Sequence, residues 1–153
     1  MSFEARLIEL GIVLPEPPPP AGLYSPVVQV GSLLFVSGQI PVTAGAPTPT
    51  GKLGGGVSID EAAALARVCA MNGLAQVRSH LGSLDRLRRV IRVGGFVASA
   101  EGFTDQPKVV NGASQLLIDV FGECGRHART AVGVAELPLG VPVEVEFLFE
   151  VET

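Results

Sequence analysis

Hydrophobic and polar positions along this chain change period several times, and each change marks an element. From Val143 onward the alternation is strict: Val143, Val145, Phe147, Phe149 and Val151 share one face, while Glu144, Glu146, Leu148, Glu150 and Glu152 share the other. This predicts a strand with a core face and a largely acidic face. The preceding run, His127 to Val134, is also strand-like and reaches it through a tight Leu137-Pro138-Leu139-Gly140 connection. If the two runs pair, Arg129 at the start of the first lies toward the C-terminal part of the second. Its distance to Glu144 then depends on register and on neighbouring chains.

Taken from the start, Phe3, Leu7 and Leu10 recur at helical spacing, so residues 2–10 form a short amphipathic helix that stops at Gly11. Pro15-Glu16-Pro17-Pro18-Pro19-Pro20 is a stiff polyproline II strap. Such a run can recruit an aromatic-groove domain, but no basic residue flanks it, which favours a spacer laying the N-terminal helix on the body. The chain therefore divides into residues 1–20, helix and strap, and residues 21–153, a single domain. Val27–Val30 and the apolar run from Leu33 flank Gly31-Ser32 and read as a β-hairpin, with Ser37-Gly38 ending the second strand. Residues 42–56 are rich in Pro, Thr and Gly and form a loop.

Ser58 followed by Glu61 has capping-box spacing, so a helix starts there. Ala62, Ala66, Cys69, Ala70, Gly73, Val77 and Leu81 make its buried stripe, and Gly82 stops it. Because the stripe is mostly small, this helix should lie close against a sheet. Leu87–Ala98 is a third strand. Asp105 caps a second long helix with Pro107 in its first turn, its buried side is Val109, Val110, Ala113, Leu116, Leu117 and Val120, and Gly122 ends it. The body thus reads ββαβαββ, an α+β layer with two helices on one face of a mixed sheet. The other face stays open in a single copy, and several copies packing sheet to sheet would cover it.

Composition narrows the classes. A chain of 153 residues fits one domain. Its 47% hydrophobic and 17% charged residues are lean in charge, which favours an oligomer that covers apolar surface. A net charge of −4 repels nucleic acid and anionic membranes. The N-terminus carries an acidic residue and no long apolar run, so neither a signal peptide nor a membrane anchor is expected and the chain reads as cytoplasmic. Cys69 and Cys124 are too few for a disulfide scaffold and read as free thiols, Cys69 as core filler.

Candidate chemistry is sparse. The Gly-rich loop lacks the Gly-Lys-Ser/Thr ending of a phosphate-binding loop, and no Gly-x-Gly-x-x-Gly opens a helix. His80, His127 and the two cysteines do not make a four-ligand zinc site, and Cys124-x-x-His127 is a two-ligand fragment at most. No nucleophile elbow is present. Arg86, Arg88, Arg89 and Arg92 cluster near the third strand's start as an anion patch or, since no aromatics interleave, a solvated edge or subunit contact. What remains is Arg129 with Glu144. The guanidinium fork matches a carboxylate and keeps its charge near neutral pH, and a glutamate can orient or activate water; an ordinary salt-bridged surface arginine is the plainer reading.

Tyr24, the strand end Val36-Ser37-Gly38-Gln39-Ile40-Pro41, Asn111, Ala128-Arg129 with Val132-x-Val134-Ala135-x-Leu137-Pro138, and Val143-Glu144-Val145-Glu146 together resemble the Rid/YjgF family, the reactive-intermediate imine deaminases. The match spans about residues 22–150. The resemblance implies a chorismate-mutase-like α+β fold, a homotrimer with clefts between subunits, and hydrolysis of small 2-imino acids, released as enamines by pyridoxal-phosphate dehydratases, to 2-keto acids and ammonia without a cofactor. By position it implies that Arg129 pairs with the substrate carboxylate, that Glu144 holds the attacking water, and that Tyr24, Ser37, Gly38 and Asn111 line the cleft.

Departures from that pattern bear on activity. Two residues past the arginine many deaminases carry cysteine, whereas this chain has Ala131, whose backbone N–H still offers a donor. The N-terminal helix and strap, the insertion at 43–56 and the segment 94–102 also differ from the short deaminases, so this resembles a longer branch. Two other readings stand beside the deaminase: a non-catalytic trimer that binds or senses carboxylate metabolites, and a ribonuclease or translation inhibitor. The last is disfavoured by the acidic balance and requires salt-sensitive RNA binding through the arginine cluster.

Overall fold

The computed structural model describes the whole chain, Met1 to Thr153. Its strands are β1 (Val27–Val30), β2 (Leu33–Gln39), β3 (Leu87–Ala98), β4 (Ala128–Val134) and β5 (Val143–Val151), and its helices are α1 (Phe3–Glu9), α2 (Ile59–Leu81) and α3 (Gln106–Phe121).

Local signals act where their residues stand. Gly31 takes φ 59°, which lets Val30 pair with Leu33 across the hairpin. Ser58 accepts from the Glu61 N–H at 3.1 Å while its own N–H donates to the Glu61 carboxylate at 2.8 Å, a complete capping box. Gly82 closes α2 in the left-handed region at φ 83°. The small stripe of α2 is buried, and it lets the helix approach β5: a Cβ added at Gly73 would stand 2.7 Å from the Phe147 ring. Cys69 is fully buried there, and burial, with the field of Glu144, raises its thiol well above the ordinary range, so it stays an unreactive thiol.

Asp105 departs from expectation. It occupies the N-cap of α3 but makes no side-chain cap bond, because its backbone (φ −93°, ψ 27°) is not the extended conformation that aims a cap side chain at the first turn. Its carboxylate reaches Lys108 at 3.4 Å instead.

The five strands form one sheet in the order β1-β2-β5-β3-β4. β4 and β5 therefore do not pair. β3, α3 and β4 make a crossover unit in which β4 runs parallel to β3, with Val93 opposite Arg129, and β5 enters antiparallel between β2 and β3. The alternation in β5 sorts as expected: its valines and phenylalanines are buried beneath the helices, and its glutamates and Leu148 are half-buried on the other face. That second face carries no helix and exposes Val28, Val30, Leu33, Phe35 and Val132.

α1 lies against the end of α3, with Leu7 buried and the Phe3 ring edge-on to Phe121 at 4.7 Å. The strap that follows is tied down by Gln76, whose side-chain amide donates to the Pro18 carbonyl at 2.6 Å. No helix is long and apolar enough to cross a membrane.

Candidate functional site

The sequence-selected residues divide into two groups on opposite faces of the sheet. Arg129 pairs in register with Val93, which pairs with the buried Phe147, so its side chain rises on the helix side. Ala131 is opposite Gly95 on that same side, half-buried against the core. Glu144 is opposite Phe96, in the row that faces away from the helices. One chain does not bring Arg129 and Glu144 together.

The Arg129 group is built on α3. Its guanidinium donates from Nη1 to Asn111 Oδ1 at 2.8 Å and to Ser114 Oγ at 3.1 Å, and from Nη2 to the Pro107 carbonyl at 3.3 Å. No carboxylate lies within ion-pair distance of it. An arginine oriented by three neutral acceptors and left without a counter-charge is a ready anion site. Asn111, Ser114 and Pro107 reach it because they are three to four residues apart on α3 and share one helix face.

The Glu144 group lines a cleft of about 780 Å³ with Tyr24, Ser37, Gly38, Gln39, Leu139 and the strap residues Pro18 to Ala21. Gly38 has a steric role: a Cβ there would stand 3.0 Å from the Glu144 carboxyl carbon and closer still to its oxygen, so only glycine lets the carboxylate lie over this backbone. Burial, and secondarily the charge of Glu146, raises the Glu144 carboxyl above the ordinary range, and no hydrogen bond offsets either effect. The hydroxyl of Ser37 is already committed, donating to the Ser25 carbonyl at 2.8 Å. Tyr24 is half-exposed, and its hydroxyl accepts from the Ala21 N–H at 3.3 Å.

Several contributors escape sequence reasoning. Ser114 follows Asn111 by three residues, a spacing that could have flagged it. His127, bound to Ser114 at 2.9 Å, leaves no such trace. Leu139 sits at φ 59°, unusual for a branched side chain, and Gln76 anchors the strap wall; both depend on tertiary neighbours. No group of three His, Cys, Asp or Glu side chains is placed to hold a metal ion. Of the arginine cluster, Arg92 donates to Thr130 Oγ1 at 3.1 Å and Arg86 to the Leu81 carbonyl at 3.2 Å, while Arg88 and Arg89 are exposed.

Comparison with known proteins places this arrangement. The family model described as "YjgF/chorismate mutase-like, putative endoribonuclease" matches residues 4–151. Protein TCP17 of Trypanosoma cruzi is 48% identical over 95% of this chain and 92% of its own length. A 2-iminobutanoate/2-iminopropanoate deaminase of Dermatophagoides farinae is 31% identical over 92% of this chain and 95% of its own length. Among solved structures, Atu1372 of Agrobacterium tumefaciens, of unknown function, superposes with a TM-score of 0.89 at 46% identity over 98% of this chain and 92% of that one. The chain belongs to the YjgF/chorismate mutase-like family, the Rid/YjgF group to which its sequence motifs pointed.

Proposed function

We propose that this protein is a cofactor-free hydrolase of small 2-imino acids, working as a homotrimer in which Arg129, Asn111 and Ala131 of one copy face Tyr24, Ser37, Gly38 and Glu144 of the next. The observation that carries this reading is the uncompensated Arg129, held by three acceptors on one side and paired with no carboxylate. Two further features support it. The half-sites lie on opposite faces, as a cleft shared between copies requires, and the helix-free face exposes the apolar side chains such packing would cover. The named activity of the mite relative supplies the substrate class.

The chemistry follows from charge and position. The substrate carboxylate pairs with Arg129, which fixes C2 of the C=N bond over the Glu144 carboxylate. Water adds through oxygen to C2 while Glu144 accepts its proton, giving a tetrahedral carbinolamine. Protonation of nitrogen and cleavage of the C–N bond release ammonia, and loss of the hydroxyl proton leaves the 2-keto acid. A carboxyl raised by burial is a better proton acceptor near neutral pH than an exposed one. Because an imine carbon is already electrophilic, positioning and charge complementarity supply most of the acceleration.

The test is the decay of 2-iminopropanoate and 2-iminobutanoate generated in situ by an amino-acid oxidase or a dehydratase. Wild-type protein should accelerate keto-acid appearance, Arg129→Ala should abolish that acceleration, and Glu144→Gln should reduce kcat more than it raises KM. Wild-type protein that leaves imine decay unchanged overturns the proposal.

A further inference from the structure

Arg129 stands at the head of a chain of hydrogen bonds that has only one allowed direction. At its far end, His127 Nδ1 lies 2.6 Å from the Gly125 carbonyl oxygen. A carbonyl accepts only, so Nδ1 carries the proton. In the neutral ring Nε2 is then a bare acceptor, and it stands 2.9 Å from Ser114 Oγ, which must donate to it. With its proton committed inward, the serine oxygen offers lone pairs to Arg129 Nη1 at 3.1 Å. The base of the chain is rigid: Gly125 is buried, and a Cβ there would stand 2.8 Å from the Leu117 carbonyl carbon.

Donor bookkeeping shows the effect on the arginine. A guanidinium has five N–H groups. Asn111 and Ser114 take both on Nη1, and Pro107 takes one on Nη2. Because Pro107, Asn111 and Ser114 follow one another along one face of α3, they take successive N–H groups around the guanidinium, which leaves the Nε–H and the Nη2–H beside it, the fork that holds a carboxylate through two parallel bonds.

We propose that Ser114 and His127 are positioning residues for Arg129: a tautomer-locked Gly125–His127–Ser114 relay fixes the rotation of the guanidinium and leaves one edge free for a carboxylate. The inference deepens the proposed function and rests on its reading of Arg129 as the carboxylate site. Ser114 is 9% exposed and spends its bonds on Arg129 Nη1 and His127 Nε2, and both ring nitrogens of His127 are taken by Ser114 and Gly125, so each acts through the arginine.

The relay holds only while His127 is neutral. Burial is the main reason its pKa lies below the ordinary imidazole value; the positive charge of Arg129 adds to this, and the Gly125 acceptor opposes it. The other charged groups on elements around it are Lys108 and Asp119 on α3, Arg88, Arg89 and Arg92 on β3, and Glu123 paired with Arg126 at 2.9 Å on the intervening turn. Protonation turns Nε2 into a donor. Ser114 then meets two donors, Nε2 and Nη1, and its own proton loses its acceptor.

The test uses full-length protein and 2-ketobutanoate, whose carboxylate stays ionised across the range, titrated calorimetrically between pH 5 and pH 8. Wild-type affinity should be flat near neutrality and fall on acidification as His127 protonates. Ser114→Ala and His127→Asn, whose amide stops at the Nδ1 position, should weaken binding on the order of tenfold near neutral pH, the worth of one charge-assisted hydrogen bond, and the gap to wild type should close on acidification. His127→Gln, whose oxygen reaches the Nε2 position, should restore neutral-pH affinity and remove the acid loss. Nitrogen NMR should show the Nδ1–H tautomer of His127, and an Arg129 Nε–H signal that is sharp in wild type and exchange-broadened in Ser114→Ala. Wild-type-like affinity in Ser114→Ala, an acid loss retained in His127→Gln, or an Nε2–H tautomer overturns the relay. If wild-type protein binds no 2-keto acid, the proposed function fails instead, and the NMR comparison alone decides the relay.

Discussion

Gly112 on α3 lies directly against the backbone of α2 at Ala63, and Gly112→Ala tests whether that contact sets the site. Gly112 keeps ordinary helical backbone, so in isolation alanine would favour the helix by about 1 kcal/mol. The structure reverses that sign. An added Cβ would stand 2.6 Å from the carbonyl carbon of Ala63 on α2 and 3.0 Å from its Cα, with the carbonyl oxygen nearer still. Carbon atoms in contact prefer roughly 3.5–4.0 Å, so the helices must part by about 1 Å, a gap that forfeits a quarter to a half of the dispersion energy of each separated contact. The obstacle is backbone, and no rotamer change relieves it. The expected net cost is about 1–3 kcal/mol, or about 2–12 °C in melting temperature for a domain of this size. Moving α3 also moves Asn111, the immediate neighbour of Gly112, away from Arg129, so 2-ketobutanoate affinity should fall together with stability. Gly133→Ala is the control, because its Cβ would meet only the side chains of Gln106 and Ser99, which can turn aside. Urea denaturation of the three proteins decides it: Gly112→Ala as stable as wild type, or more so, refutes the reasoning.

Two further outcomes follow from the same structure. Glu144 has a folded pKa raised above the ordinary 4.5, so between those values the folded chain binds more protons than the unfolded one and stability falls as pH rises through the window. Glu144→Gln, which carries no charge, should therefore melt above wild type at pH 7, and the gain should vanish below pH 4.5, as a pH series of thermal melts would show. Ser58→Ala removes the hydroxyl half of the α2 capping box and should cost about 1 kcal/mol, with faster amide exchange at Glu61, whose N–H loses its acceptor.

Elements whose signals are local could be read from residues alone. The Gly31-Ser32 turn, the Ser58 capping box, Gly82 at the end of α2 and the alternation of β5 each lie within a few residues, and each specifies its own backbone. The small stripe of α2 went further, since a face of Ala, Cys and Gly permits only close approach to a sheet, and the Phe147 ring lies against Gly73. Asp105 marks a limit. Residue type suggested a cap, but a backbone angle set by the preceding loop turned its carboxylate toward Lys108.

The sequence by itself determined the elements, their order and the α+β class, because helical and strand periods are properties of a single segment and its nearest neighbours. It also singled out Arg129 and Glu144 as chemically suitable. Only the tertiary structure decided that β3 separates β4 from β5, that these two side chains leave opposite faces of the sheet, and that Ser114 and His127 stand behind the arginine. Strand order depends on which backbone edges meet and on the handedness of the crossover through α3, neither of which a hydrophobic pattern records. A hydrogen bond between residues 13 positions apart exists only once α3 and the segment leading into β4 have packed.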